Sequence, residues 1–403
     1  MDRKLKIYLK RIFSILLFLC GWRTRERMPE HWHPTVTILV PAYNEEATIA
    51  DTVASIKSQT YPVAEIIVVD DCSSDKTGDI ARALGVRVIR TPKNTGTKSQ
   101  AQNFGLLQVN TDLVCTIDAD TILAPDAIEK ILPALHEGFD LSQKTESFPP
   151  EVAKKIVFSA CGFVIPQRIK TKFEFARLGQ YLFYMGWGKT IQDHWDAPLV
   201  SSGCFSMFNA KLLRHYGGFP AGSMVEDMET TWGALMNGFK IRMVPDALCY
   251  PKDPPTWPIF QNQVLRWNRG FLQLIPKYGF RILENKRMAF FIVWSLFVYI
   301  VAPLSLLATF VFFLWYYTVQ GGDIQYGTIA MLPIIMMVGT GFDLATSFLV
   351  IAYQGYRKKC FKNALISFPF YWGAVPLENY LFVKAFFKEF ILHERLSVWE
   401  KGH

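Results

Sequence analysis

Residues 35–71 read TVTILVPAYNEEATIADTVASIKSQTYPVAEIIVVDD, and their pattern decides the fold class. Val36–Val40 is an apolar run too short for a helix, and it breaks into Pro41, Tyr43, Asn44, Glu45 and Glu46. Ile49, Val53 and Ile56 then recur at the spacing of one helix face. Ile66–Val69 is a second short β-branched run, ending on Asp70 and Asp71. Strand, helix, strand is the unit of a parallel sheet.

The same alternation continues outward. Ile80 and Leu84 mark a second helix, Val86–Ile89 a third strand, 99–108 a third helix and Leu113–Ile117 a fourth strand. That last strand runs into Asp118, Ala119 and Asp120. Strands alternating with helices predict an α/β domain with a Rossmann-like, mostly parallel sheet covered on both faces. Ligands of such sheets bind beyond the carboxyl ends of the strands. The first, second and fourth strands here end in acidic residues on that edge. One such end could be a helix cap; three together favour a site.

Three further patterns carry chemistry. Asp118 and Asp120 place two carboxylates at one strand end, a donor set suited to Mg²⁺ or Mn²⁺ with substrate phosphates completing the shell. Glu226-Asp227 opens an apolar helical pattern after Gly217, Gly218 and Gly222. Acids in a first turn complement the helix dipole, and Asp227 equally suits a general base for a hydroxyl. In Gln263-Val264-Leu265-Arg266-Trp267, Arg266 could clamp a phosphate and Trp267 offers a flat face for a sugar ring.

Composition locates these patterns in a larger plan. The 403 residues are 50% apolar and 15% aromatic, and the excess lies after Ala289. The net charge of +8 gathers at the borders of apolar segments, at positions 3–11, 23–27 and 357–362. That placement fits anionic lipid rather than nucleic acid, and no nucleic-acid-binding motif accompanies it. Seven cysteines at unpaired spacings are expected to be reduced thiols packed as small hydrophobes.

Apolar runs at 289–317 and 327–353 are long enough to span a bilayer, with Asp343 inside the second. A third block, 364–387, is interrupted by Pro369, Pro376, Glu378 and Lys384; it is read as a span or a broken buried helix. The base-free loop 318–327 is expected outside and the basic loop 357–362 inside, leaving the large domain cytoplasmic. Residues 1–34 form a basic interfacial helix or a short anchor, rather than a cleaved signal peptide. His31 and His33, beside Trp32, are read as marking the exit from the membrane. The expected organisation is therefore 1–34, a catalytic domain over 35–285, and a membrane domain over 286–403.

Taken as an ordered set, VPAYNE at 40–45, VVDD at 68–71, NTGTKSQAQN at 94–103, DAD at 118–120, ED at 226–227 and QVLRW at 263–267 resemble the inverting, family-2 glycosyltransferases of GT-A fold. The resemblance spans about 35–273 and is to the membrane polysaccharide synthases. Bacterial poly-N-acetylglucosamine synthases are similar in layout; hyaluronan, chitin and cellulose synthases are larger relatives.

The resemblance implies that Asp71 binds the uracil of a UDP-sugar, and that Pro41, Tyr43 and Glu45 line the nucleotide pocket. Lys98 would lie near the diphosphate, in a loop one residue longer than the family's usual form. Asp120 would be the main metal ligand, for Mg²⁺ or Mn²⁺. Asp118 would sit beside it on metal or nucleotide. Asp227 would be the catalytic base with Glu226 beside it. Gln263, Arg266 and Trp267 would hold the diphosphate and the acceptor end, and residues 201–205 would pack beneath the acceptor.

The implied donor is UDP-N-acetylglucosamine or another UDP-sugar, and the implied location is a bacterial-type cell membrane. The product is either a polysaccharide built processively or a single sugar added to a lipid or lipid-linked glycan. With so few spans, a polymer channel would require a homo-oligomer or an accessory secretion subunit. A non-enzymatic sugar-binding scaffold would leave the acidic set without a purpose.

Overall fold

The computed structural model describes residues 28–301 and 327–394, with isolated positions between 303 and 319. Most of the N-terminal segment, the loop around 320 and the last residues lie outside the described region.

The four expected strands are present as β1 (Val36–Ala42), β2 (Glu65–Asp70), β3 (Arg87–Arg90) and β4 (Leu113–Ile117). Between them run α1 (Ile49–Lys57), α2 (Thr77–Ala83) and α3 (Lys98–Leu106). All four strands are parallel, in the order β3-β2-β1-β4. Ile49, Val53 and Ile56, the apolar stripe of α1, are fully buried. Gly105 lets α3 sit directly on the sheet. A Cβ there would stand 2.4 Å from a Leu39 methyl and 2.6 Å from a Val69 methyl, far inside van der Waals contact. Close docking of α3 sets the depth of Lys98 at its first turn.

The rest of the sheet is mixed, with β6 parallel to β8, so the sheet as a whole stays mostly parallel. β5 (Thr121–Leu123), β6 (Val157–Val164), β7 (Phe205–Asn209) and β8 (Lys240–Pro251) extend it to eight strands, in the full order β3-β2-β1-β4-β7-β6-β8-β5. β7 is antiparallel to both β4 and β6, and β5 is antiparallel to β8. The reversal has a consequence for the site. Phe205 opens β7 opposite Ile117, the last residue of β4, so the turn at 201–204 enters the sheet where Asp118 and Asp120 leave it. The Asp118 N–H faces the Cys204 carbonyl at 3.4 Å.

Three longer helices frame the second half: α4 (Lys172–Phe183), α5 (Glu226–Met236) and α6 (Trp257–Tyr278). A capping box formed by Thr171 and Glu174 starts α4, satisfying two otherwise orphaned backbone donors. Toward the C-terminus run α7 (Lys286–Leu296), α8 (Gly327–Arg357) and α9 (Phe361–Phe386).

Helix α9 corrects the expectation of an interrupted segment, because it is continuous through Pro369 and Pro376. Each proline forfeits a backbone hydrogen bond, and packing along α4 keeps the helix whole. At Gly179 of α4 an added Cβ would lie 2.6 Å from Tyr371 Cβ. Among the described residues, no helix is long and apolar enough to cross a membrane. The membrane domain therefore remains a reading of the sequence.

Trp32 is only 7% exposed, with its ring edge-on to His136 at 5.1 Å and to Phe139 at 5.4 Å. The indole anchors the entering chain to the domain core.

Candidate active site

The strand ends build the site from two sides. On the β1–β2 side, Asp71 follows β2 and is almost wholly buried. Its carboxylate accepts from the Thr91 hydroxyl at 2.8 Å, the Thr95 hydroxyl at 2.8 Å and the Thr95 N–H at 3.0 Å. The loop at 94–97 is thereby folded onto Asp71 and led into α3. Asp70, one residue earlier, holds Arg90 at 2.5 Å and accepts from the Ser73 N–H at 2.9 Å.

After β1, Asn44 adopts a left-handed backbone (φ 54°) and accepts from the Ser74 N–H at 2.9 Å. Glu45 is buried, receives the Thr48 hydroxyl at 2.8 Å and donates its N–H to the Thr77 hydroxyl at 2.7 Å. Tyr43 is 38% exposed, an open aromatic face at the rim. Pro41 lies within β1, opposite Val69.

On the β4–β7 side the acidic residues converge on one lysine. Lys98 Nζ lies 2.5 Å from Asp118 Oδ1 and 3.3 Å from Glu226 Oε1, and it donates to the Gly203 carbonyl at 3.0 Å. Gly203 faces the other way with its N–H, which donates to Asp227 Oδ2 at 2.8 Å. Asp227 Oδ1 accepts from the Met228 N–H at 2.8 Å. A side chain at position 203 would have to push these two charged groups aside. A Cβ would meet Asp227 Oδ2 at 2.9 Å and Lys98 Nζ at 3.2 Å.

Electrostatics follow from that crowding. Burial and the neighbouring Glu226 push the Asp227 carboxyl up to about 6, with Lys98 acting in the opposite direction. Burial and Asp118 push Asp120 up to about 7, again opposed by Lys98. Burial works against the charge of Lys98, yet Asp118, Glu226 and Asp227 together hold it protonated beyond the ordinary lysine range. Each acid is raised because like charges share a dry space, and the lysine is the cation that makes the arrangement tolerable.

The QVLRW segment lies on α6 and splits into two directions. Arg266 donates to the Met224 carbonyl at 3.1 Å, two residues before the Glu226-Asp227 pair. Gln263 and Trp267 turn instead toward Arg177 of α4. Arg177 Nη2 donates to Gln263 Oε1 at 2.7 Å, and its guanidinium lies 4.8 Å from the Trp267 ring. Asp253, which follows β8, pairs with Arg177 at 3.6 Å and accepts from the Tyr181 hydroxyl at 2.9 Å. Burial pushes its carboxyl up to about 6, with Arg177 opposing.

Asp118, Lys98, Glu226, Asp227 and Gly203 thus form one contact cluster, with Asp120 coupled to it electrostatically. Asp71 is joined to that cluster by the 94–98 segment, and Gln263 and Trp267 by the α6 helix. Sequence reasoning missed Arg177 and Asp253. The available signal was an arginine flanked by Ala176, Leu178 and Leu182 on the buried side of α4. Asp253 stands between Pro251 and Pro254 with no such signal.

Two carboxylates, Asp118 and Asp120, follow the same strand end, near enough for the charge of Asp118 to raise the Asp120 carboxyl. Among the described residues no group of three or more His, Cys, Asp or Glu side chains could enclose a metal ion. The pair fits a Mg²⁺- or Mn²⁺-type ion that takes one or two carboxylates and leaves its other positions to substrate phosphate and water.

Comparison with known proteins agrees with this geometry. Residues 37–217 match the glycosyl transferase family 2 model. The chain is 28% identical over 313 residues to "Probable glycosyltransferase YdaM" of Bacillus subtilis (strain 168), covering 73% of this chain and 71% of that relative. It is 26% identical over 261 residues to the poly-beta-1,6-N-acetyl-D-glucosamine synthase of Staphylococcus epidermidis. That match covers 64% of this chain and 59% of the synthase, so it spans less than two thirds of the relative's length.

Among solved structures, the mannosyltransferase PcManGT from Pyrobaculum calidifontis, in complex with GDP-Man and Mn²⁺, has the same fold. The TM-score is 0.53 at 19% identity, over 90% of this chain and 94% of that one. With a Rossmann-type first half, acidic strand ends around one lysine and the family's model matched over 37–217, residues 37–217 of this chain form a glycosyl transferase family 2 domain.

Proposed function

We propose that the enzyme transfers a sugar, of the N-acetylhexosamine class, from a UDP donor to a glycan end with inversion at the anomeric carbon. The observation that carries this reading is Asp227. It is a buried carboxylate held at both oxygens by backbone N–H groups and set one residue from a lysine that would meet the donor's diphosphate. Its pKa of about 6 leaves it ionised at neutral pH but basic enough to take a proton.

In the proposed reaction an acceptor hydroxyl gives its proton to Asp227 as its oxygen attacks the anomeric carbon. The bond from that carbon to the diphosphate breaks on the opposite face, and the electron pair leaves with UDP. No covalent intermediate on the protein is involved. Lys98 is placed to exchange its Asp118 partner for the departing phosphate charge. A divalent cation held by Asp118 and Asp120 would supply further neutralisation of that diphosphate. Asp71 and Tyr43 are assigned to the uracil end, with Pro41 and Glu45 behind them.

Supporting the donor and product class is the likeness to poly-N-acetylglucosamine synthases. Elongation at the cytoplasmic face of a membrane is part of the proposal, with α7–α9 and the runs around them as the membrane domain. The basic residues at the end of α8 touch the sheet of the proposed catalytic domain. Arg357 pairs with Asp246 of β8 at 2.8 Å, and Lys358 Nζ lies 4.5 Å from the Phe163 ring of β6. This supports the topology in which that loop shares a compartment with the donor site.

The test is product analysis with purified full-length protein, UDP-N-acetylglucosamine, Mg²⁺ and a short N-acetylglucosamine oligomer. A ladder of β-linked products is expected. A single addition would favour the lipid- or glycan-capping reading, α-linked product would overturn inversion, and no transfer from any nucleotide sugar would overturn the proposal.

A further inference from the structure

Arg177 is among the largest side chains with no exposure in the molecule, and its side-chain accessibility is 0%. A guanidinium so buried is costly unless charge and hydrogen bonds are returned to it. Here they come from several directions. Asp253 lies 3.6 Å from Nε, the Gln263 amide oxygen 2.7 Å from Nη2, and the Gln180 amide oxygen accepts from Nη1. The guanidinium carbon also lies 4.5 Å from the centre of the Phe260 ring and 4.8 Å from that of Trp267. Phe260, Gln263 and Trp267 are three, four and seven apart on α6, so one face of that helix closes around a single cation.

We propose that Arg177 is a positioning residue for the acceptor end of the reaction, acting through Gln263 and Trp267. The inference rests on the transferase reading above. Trp267 and Gln263 remain partly accessible, so each offers one side to Arg177 and another to a ligand. Arg177 sets the tilt of the indole on which an acceptor sugar would stack, and it fixes which way the Gln263 amide points. Because the Gln263 oxygen is held by the guanidinium, its NH₂ is the end left for a sugar oxygen. From the adjoining face of α6, Arg266 reaches the Met224 carbonyl beside the base loop. The helix is therefore pinned between Arg177 and the Asp227 segment. Gln180 carries the connection onward to Glu378 of α9 at 3.0 Å, tying the acceptor end to the C-terminal helices.

The requirement is for an arginine. Lysine could keep the ion pair with Asp253, but it has no planar fork to meet two amides and two ring faces at once. Losing a charge-assisted hydrogen bond corresponds to about a tenfold to hundredfold weakening.

The experiment compares wild type, Arg177→Lys, Arg177→Met, Gln263→Met and the Arg177→Met/Gln263→Met double variant. Each is assayed as full-length protein with UDP-N-acetylglucosamine and a short N-acetylglucosamine oligomer, and UDP affinity is measured separately by calorimetry. The expected result is an acceptor KM raised about tenfold or more in Arg177→Lys, with donor KM and UDP affinity within about twofold of wild type. The double variant should be little worse than Gln263→Met, because both changes remove one connection. If Arg177→Met does not fold, Arg177→Lys and Gln263→Met still carry the test. Lower kcat with both KM values unchanged would mean a structural role alone and overturn the inference, as would additive losses in the double variant. A wild type that binds no UDP and transfers no sugar would instead refute the transferase reading, and this inference with it.

Discussion

Replacing Asp227 by Asn tests the chemistry most directly. In the folded protein Asp227 accepts two backbone N–H groups, from Gly203 and from Met228, each at 2.8 Å. An Asn side chain has one acceptor and one donor end, so it can keep only one of those bonds. Its larger loss is basicity. Removing a general base costs about two to four decades in rate, and at 1.36 kcal/mol per decade this is about 3–5 kcal/mol of transition-state stabilisation. If Asp227 served only to complement the α5 dipole, the loss would be about 0.3–1 kcal/mol of stability with turnover nearly intact. The two readings differ by enough that one assay separates them.

The assay is transfer rate under saturating donor and acceptor, with UDP affinity measured in parallel. A rate near wild type would refute the base assignment. Joint loss of UDP binding and turnover would move Asp227 to the nucleotide pocket. The pH profile supplies a second measurement. A base must be deprotonated to act, and Asp227 is raised to about 6 by burial and Glu226. Its ionised fraction is about 90% at pH 7 and about 10% at pH 5. The rate should therefore fall roughly tenfold between those pH values and level off above pH 7. An acid limb centred near pH 4 would show an unshifted carboxylate and contradict the burial argument.

Three other outcomes are expected. Asp120→Asn should abolish turnover, and excess EDTA should do the same to the wild type in a manner reversed by Mg²⁺ or Mn²⁺; full activity in EDTA would remove the metal assignment. Gly203→Ala puts a methyl 2.9 Å from Asp227 Oδ2 and 3.2 Å from Lys98 Nζ, so turnover should drop at least about tenfold with thermal stability little changed; an unimpaired variant would show that the base need not hold this position. A tag inserted at Gln320 should label from outside intact cells while one at Lys359 should not, and the reverse pattern would place the donor site away from cytoplasmic nucleotide sugars.

What the sequence made legible, and what it did not, divides along a physical line. The centre of the first half of the sheet could be read residue by residue because β1 and β4 are buried on both faces. Val36, Ile38, Leu39 and Val40 have no exposure at all, and such runs are unmistakable between polar turns. The acids at their ends were equally visible, since topology alone sends parallel strands to one edge. The mixed half was not visible. Its strands β6 and β7 carry Ser159, Ser206 and Asn209, buried polar groups satisfied from outside those strands, the two serines by the Ser201 hydroxyl and Asn209 by that of Ser142. Mixed composition of this kind hides a fully buried strand.

The same limit applies inside the site. Lys98 was legible as a polar loop lysine, but that it bridges Asp118 and Glu226 depends on β7 reversing beside β4, and no local pattern encodes that reversal. Arg177 is the sharper case. On a helix read alone, an arginine beside Leu178 is expected to carry its charge outward along the helix surface. It points inward here because Asp253, Gln263 and the rings of α6, 76 to 90 positions later in the chain, supply charge and π-faces. A buried cation is stable only where remote partners meet it, so its meaning belongs to the tertiary fold. That is also why its substitution should disturb the acceptor end while leaving donor binding intact: its partners lie on α4, on α6 and in the segment between β8 and α6, and none of these lies on the β1–β2 side where the nucleotide is proposed to bind.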